Sequence, residues 1–396
     1  MLRLVQRLAI LSAINLAFSG APLPAQSLPG STDQATPANP TPLPTQSTPA
    51  QSPAIGQQPA QQPGTLSEQP VPSGSTNAKT AKKDNDKPIS QTDIHNASLW
   101  QDPGSISAKD LFYGEGGKDG QPVAPFKFIS EDMNGTNPKF DVKDTNGKKW
   151  RVKLAEETRP EVVASRLLWA VGYYVNDDYL LHVATIKGID MKRGAKLVHN
   201  EQVVDARFER KADNNTKIAI WEWKNNPFRN TREFNGLRVM MAVVNNWDLK
   251  DANNAVYTNK ETGRQTFIVS DIGATFATNS LQNTRAKDKG NVDSYVGSKF
   301  IIGTTPTTVD FGTPSAPTGV LLKSAGFLAA DYVQRRGYVW IGQDIPREDA
   351  RWIGSMLGQL SHEQLVDAFR AGNFPPESID QYVSVLESRI AQLKAL

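Results

Sequence analysis

N-N-W-D-L-K-D-A-N-N, residues 245–254, and S-D-I-G-A-T-F, residues 270–276, decide how this chain is read. In the first stretch Asp248 is followed by Lys250 two positions on and Asn253 five positions on, so a carboxylate, an ammonium and an amide share one short loop. In the second, the apolar run before Ser270 reads as a strand that delivers Asp271, Ile272 and Gly273 at its end. Asn and Asp are also common turn residues because their side chains bond local backbone, so N-N-W-D alone reads first as a helix stop. The order of loop, strand and D-x-G is what gives the pair its weight.

Upstream of the loop, Asn230 and Glu233 are spaced as a capping box, and Phe234, Leu237, Met241 and Val244 form the buried stripe of one helix that ends in the Asp248 loop. Further upstream, residues 126–130, 140–143 and 150–154 read as three short strands of an antiparallel sheet, separated by the turn dipeptides Asn134-Gly135 and Asn146-Gly147. Lys153 lies on the third of these, facing away from Val152 and Leu154. Pro160 and Glu161 then open a helix with Val163, Leu167, Ala170 and Val171 at helical spacing and Gly172 as its stop. Glu161 is the leading partner for Lys153, with Glu156 and Glu157 nearer in sequence. Residues 179–184, 203–209 and 217–223 carry further strand-like runs, the last of them expected near a connection between two lobes; Trp221 and Trp223 in it read as core or cover. Downstream, 290–318 is Gly-, Thr- and Pro-rich and reads as an irregular loop. Residues 348–357, 361–369 with a Ser361/Gln364 capping box, and 377–393 form a helical end.

The chain of 396 residues does not put all its length into a fold. Residues 1–25 carry Arg3 and Arg7, then the apolar run 8–18, then small residues and Pro, the pattern of a secretory signal peptide. Residues 26–92 are Pro, Gln, Ser, Thr and Ala with almost no large apolar groups, so they read as a disordered linker. The expectation is an exported, periplasmic or secreted protein with no integral membrane span after signal cleavage. With no cysteine, lipid attachment through a thiol and disulfides are both excluded. The formal charge of +3, about +1 once Arg3 and Arg7 are removed, gives no electrostatic case for a nucleic-acid partner. His95, His182, His199 and His362 show no metal-ligand spacing. There is also no G-x-S-x-G and no H-E-x-x-H, which leaves a hydrolase reading without a residue set.

With these residues in place, the globular part resembles the protein-kinase-like superfamily, in particular phosphoinositide lipid kinases, HipA-type toxin kinases and secretory-pathway kinases. D-L-K-x-x-N is similar to the kinase catalytic loop and D-I-G to the metal-binding Asp-Phe-Gly, with Ile in place of Phe. W-E-W-K-N-N-P-F and N-N-W-D-L-K-D-A-N-N also resemble stretches of exported bacterial proteins of this kind. The resemblance implies an α+β, bilobal protein-kinase-like fold, with a β-rich lobe over 93–223, a helical lobe over 224–396 and Mg-ATP between them. By the same resemblance Lys153, backed by Glu161, would hold phosphates. Asp248 would act on the acceptor with Lys250 beside it, and Asn253 and Asp271 would hold Mg²⁺. The acceptor would be a protein, lipid or sugar receiving a phosphoryl or nucleotidyl group; the alternative is a catalytically degenerate binding module at the cell envelope. Trp247 stands where kinases carry Arg, no typical Gly-rich loop is present, and no A-P-E-like segment follows Asp271. The reading requires Lys153, Asn253 and Asp271 to converge within a triphosphate's reach, on the order of 10 Å.

Overall fold

A computed structural model describes residues 85–396, except 136, 212–213, 278–288 and 313–335. The expected signal peptide and nearly all of the expected linker lie outside the described residues. Within them the class is α+β. In chain order the strands and helices begin with β1 (Ala97–Ser98), β2 (Phe126–Asp132), β3 (Lys139–Lys143), β4 (Lys149–Lys153) and α1 (Thr158–Ala170). There follow β5 (Asp178–Lys187), β6 (Gln202–Arg210), β7 (Asn215–Ala219), α2 (Arg232–Val243), β8 (Asn254–Asn259) and β9 (Gln265–Val269). The remainder comprises α3 (Val292–Val296), β10 (Ile301–Thr304), β11 (Thr308–Phe311), β12 (Ile345–Pro346), α4 (Arg347–Leu357), α5 (His362–Ala371) and α6 (Pro376–Lys394).

The expected three-stranded sheet is part of a larger object, a closed barrel in the order β2-β3-β4-β6-β5, with β2 and β5 parallel where it closes. Alternation along the strands fills it with Phe126, Phe140, Val142, Trp150, Val152, Phe208 and their neighbours. That alternation points Lys153 outward, as expected, but the outside here is covered: α1 is buried on almost every side and lies over β5 and β6. A strand lysine that would ordinarily be solvated is thereby 1% exposed.

A second sheet, β1-β9-β8-β7, supports the two motif loops. The strand expected over 217–223 runs instead over Asn215–Ala219 and pairs antiparallel with β8. It joins this sheet, and Trp221 and Trp223 just beyond its end are buried in the core. Residues at the end of the expected linker are also drawn in: Ile89 is buried, its N–H donates to Ile220 O at 2.8 Å, and Lys87 O accepts from Ile220 N–H at 3.0 Å. The cap of α2 is Thr231, whose side chain accepts from Phe234 N–H at 3.1 Å, and not Asn230, whose φ of 67° places it one step outside the helix. The irregular loop expected from residue 290 contains α3 and a β10-β11 hairpin that β12 extends to three strands. The Ser361/Gln364 capping box and the helical end are present as read.

Candidate functional site

The loop and the D-I-G turn are laced together along their backbones. Trp247 N–H donates to Ala274 O (3.2 Å) and Phe276 N–H to Val244 O (2.8 Å), while Ser270 and Asp271 N–H both donate to Asn253 O (2.8 and 3.1 Å). Asn245 Nδ2 donates to Ala277 O at 2.5 Å, and Asn246 Oδ1 accepts from Asp248 N–H at 2.9 Å. The two Asn side chains therefore serve as the turn chemistry that the sequence allowed, and in doing so hold the Asp248 loop against the segment after β9 that carries Asp271. Asn253 Nδ2 donates to Asp248 O at 2.6 Å, which commits its amide nitrogen to the loop and leaves the carbonyl oxygen as the atom available to a cation. Lys250 Nζ lies 3.6 Å from Asp248 Oδ1. Asp251 carboxylate oxygens accept from Trp223 N–H (2.8 Å) and Tyr338 Oη (2.9 Å), fixing the outer side of the loop.

Lys153 comes to this assembly from the barrel. Its ammonium sits 2.9 Å from Glu161 Oε2, 3.0 Å from Asp271 Oδ1 and 2.7 Å from Glu157 Oε2. Lys153 and Asp271 are 118 positions apart in sequence, and only the packing of the barrel and α1 onto the second sheet joins them. Of the expected convergence of Lys153, Asn253 and Asp271, with Glu161 behind Lys153, the contacts of Lys153 with Asp271 and with Glu161 are direct. Asn253 reaches them through the backbone of Asp271, and Asp248 and Lys250 join through Asn253.

Behind Lys153 lies a charge layer that local sequence does not announce. Arg207 is the cross-strand neighbour of Lys153 on β6, so two cations stand side by side, an unfavourable pairing by itself. Glu161 resolves it by bridging both, with Oε2 on Lys153 and Oε1 on Arg207 Nη1 at 2.9 Å. Arg207 also meets Asp178 Oδ1 at 3.3 Å and Glu209 Oε2 at 2.8 Å. Glu157 joins as the partner that sequence left open at four residues from Lys153, whereas Glu156 is exposed. Its second oxygen pairs with Lys289, and Asn137 from the β2-β3 hairpin loop donates to its first. Gly273 explains the glycine of D-I-G: a Cβ there would fall 2.7 Å from Glu157 Cβ and 2.9 Å from Glu157 O.

The charges perturb one another in definite directions. Burial acts to lower the Lys153 pKa, but Asp271, Glu161 and Glu157 outweigh it and hold the ammonium well above the ordinary lysine range. Burial acts to raise Asp271, yet Lys153 with more remote Lys139 and Arg207 holds it well below the usual carboxylate range. Burial likewise opposes, and Lys153 and Lys289 produce, the lowered pKa of Glu157. Deeper in, burial wins: Glu161 is raised, and Asp178 is pushed up to about 8 despite Arg207. Asp271 is the outward-facing member, its side chain 38% exposed against 1% for Lys153. Among the described residues no group of three or more His, Cys, Asp or Glu forms a metal cage, and none spans a membrane as a long apolar helix. The groups here that could hold a divalent cation are the part-exposed Asp271 carboxylate, one oxygen of which already meets Lys153, and the Asn253 side-chain oxygen.

No family model matches the chain, and no curated protein matches it. Among solved structures, the crystal structure of a Helicobacter pylori proinflammatory kinase, CtkA, aligns at 11% identity over 69% of this chain and 99% of that one, with a TM-score of 0.30. At that TM-score the likeness carries no weight beside the geometry of the site.

Proposed function

We propose that the folded part is a kinase-like phosphotransferase that binds Mg-ATP between the barrel and the helical region, as the two lobes of a bilobal fold. The observation that carries this reading is Lys153 held between Glu161 of α1 and Asp271 of D-I-G, with the Asp248 loop hydrogen-bonded to the same turn. In this reading Lys153 and Glu161 set the position of the phosphates, and Asn253 and Asp271 offer oxygens to Mg²⁺. Bound there, the metal would neutralise charge on the phosphates. Asp248 would orient or deprotonate the attacking hydroxyl of a protein, lipid or sugar, with Lys250 beside it to meet developing negative charge. The pattern of residues 1–25, which reads as a secretory leader, supports a reading in which this chemistry takes place in the periplasm or outside the cell.

A thermal-shift titration with Mg-ATP tests the binding half, because a ligand that binds only the folded state raises the midpoint. Transfer is tested with ATP labelled separately at the α and γ positions, which separates nucleotidyl from phosphoryl transfer. Asp248→Asn should abolish transfer and leave binding within about twofold, since the carboxylate acts on the acceptor. No midpoint shift at millimolar Mg-ATP in a folded sample would defeat the reading. Binding without transfer by the unaltered chain would identify the degenerate binding module instead, a reading favoured by the three carboxylates that already occupy Lys153.

A further inference from the structure

Of the three carboxylates on Lys153, two have evident stations. Glu161 is buried and shared with Arg207, and Asp271 faces outward beside Asn253. Glu157 has no such station. It lies at the start of α1 without capping the helix, and its carboxylate is ringed by the Lys153 and Lys289 ammoniums and the Asn137 amide. Two ammoniums and an amide N–H converging on one small anion are the donor set of a phosphate subsite. The residues come from three separate places, namely the end of β4, the β2-β3 hairpin loop and the segment beyond D-I-G, so the ring is a product of the fold. The backbone feeding Glu157 is strained, with Ala155 at φ 90°, a region that L-residues rarely occupy.

We propose that Glu157 is a built-in occupant of this phosphate subsite, and that Mg-ATP displaces it, its phosphate taking over Lys153, Lys289 and Asn137. The proposal rests on the nucleotide-binding reading above and adds to it two ligands, Lys289 and Asn137, and a self-occupied resting state. Displacement relaxes Ala155 and leaves Lys153 paired with Glu161 and Asp271, so the ammonium is never stripped of counter-charge. The gate lowers apparent affinity by the fraction of molecules in which Glu157 has swung away.

The test is isothermal titration of the full chain with Mg-ATP and, separately, with inorganic tripolyphosphate and Mg²⁺. Glu157→Gln keeps the shape and removes the competing charge, and should bind both about tenfold tighter than the unaltered chain. Adding Lys289→Gln in the Glu157→Gln background should reverse most of that gain, because the second ammonium is then missing from the subsite. In the unaltered chain, hydrogen exchange gives a second reading: Mg-ATP should speed exchange at the Thr158 and Glu161 amides, which donate to Ala155 O and Glu157 O. If the unaltered chain binds Mg-ATP but a folded Glu157→Gln binds no tighter, and those amides become slower, the gate is wrong while the nucleotide site stands. If neither protein binds at millimolar ligand, both fall.

Discussion

Lys153→Met replaces the ammonium by a side chain that fits the same channel and leaves Glu157 and Glu161 facing each other with their shared cation gone. Lys153, Glu161 and Glu157 have side chains 1%, 2% and 10% exposed, so these pairs are little screened, whereas the pair with Asp271 is discounted for that residue's 38% exposure. Removing one partner from a buried ion pair costs about 3–5 kcal/mol where nothing else compensates the remaining charge, and because Glu161 keeps Arg207 and Glu157 keeps Lys289 the lower end of that range is expected. At roughly 2–4 °C per kcal/mol for a domain of this size, the midpoint at neutral pH should fall within about 6–20 °C, towards the lower end. The pH dependence has a definite sign. In the unaltered chain the lowered pKa values of Asp271 and Glu157 supply stability that is present above their unfolded values and lost as pH falls through the folded ones. Without Lys153 the folded pKa values rise, the carboxylates take up protons earlier, and the deficit narrows as pH falls from about 8 towards about 5. Thermal and urea unfolding across that range measure both effects, with Lys250→Met, whose side chain is 26% exposed, as a control expected to cost about 1 kcal/mol or less. A deficit below about 1 kcal/mol, or one constant with pH, would refute the idea that Lys153 neutralises a buried carboxylate cluster.

Gly273→Ala should lower stability by about 1–3 kcal/mol, because its Cβ meets the backbone of Glu157 and the start of α1 must shift. An unchanged melting midpoint would show that this wall is compliant. Asp178, raised from 3.8 to about 8, contributes stability that is full below about pH 4 and lost as pH rises towards 8. Asp178→Asn should therefore match the unaltered chain near pH 4, gain on it steadily as pH rises towards 8 and hold that gain above 8; an offset independent of pH would show that Asp178 is ionised throughout.

What could be read in the sequence was what local chemistry controls. The Ser361/Gln364 box, the strand that carries Lys153 and the turn residues around Asp248 all act within a few positions, so their roles survive folding unchanged. The order of Lys153, Glu161, Asp248, Asn253 and Asp271 also pointed to one site, and the packing brings them into one run of contacts. Arg207 was not legible, because its place beside Lys153 depends on the β4-β6 register across an intervening helix and strand. Lys289 and Asn137 were hidden for the same reason. The β10-β11 hairpin escaped because its Gly- and Thr-rich sequence is ordinary loop composition until Ile345–Pro346 pairs with it. Asn230 was misplaced by one residue, since two adjacent capping types differ only in which has extended backbone, and here that is Thr231.

The buried charges bear on function through what a purely structural solution would have looked like. Lys153 and Arg207 lie side by side on neighbouring strands under a helix, a place where two apolar side chains would pack without desolvation cost. Instead the fold sets two cations there and then needs Glu161 to separate them and Asp178 and Glu209 to complete the layer. Burial shifts Asp178 and Glu161 upward, while Lys153 overcomes burial and holds Asp271, the outward-facing member of the cluster, below the usual carboxylate range. Asn253 and the Asp248 loop lie beside Asp271. Under the proposed function such a layer would serve a site that holds a cation and an anion together, a demand that stability alone does not make.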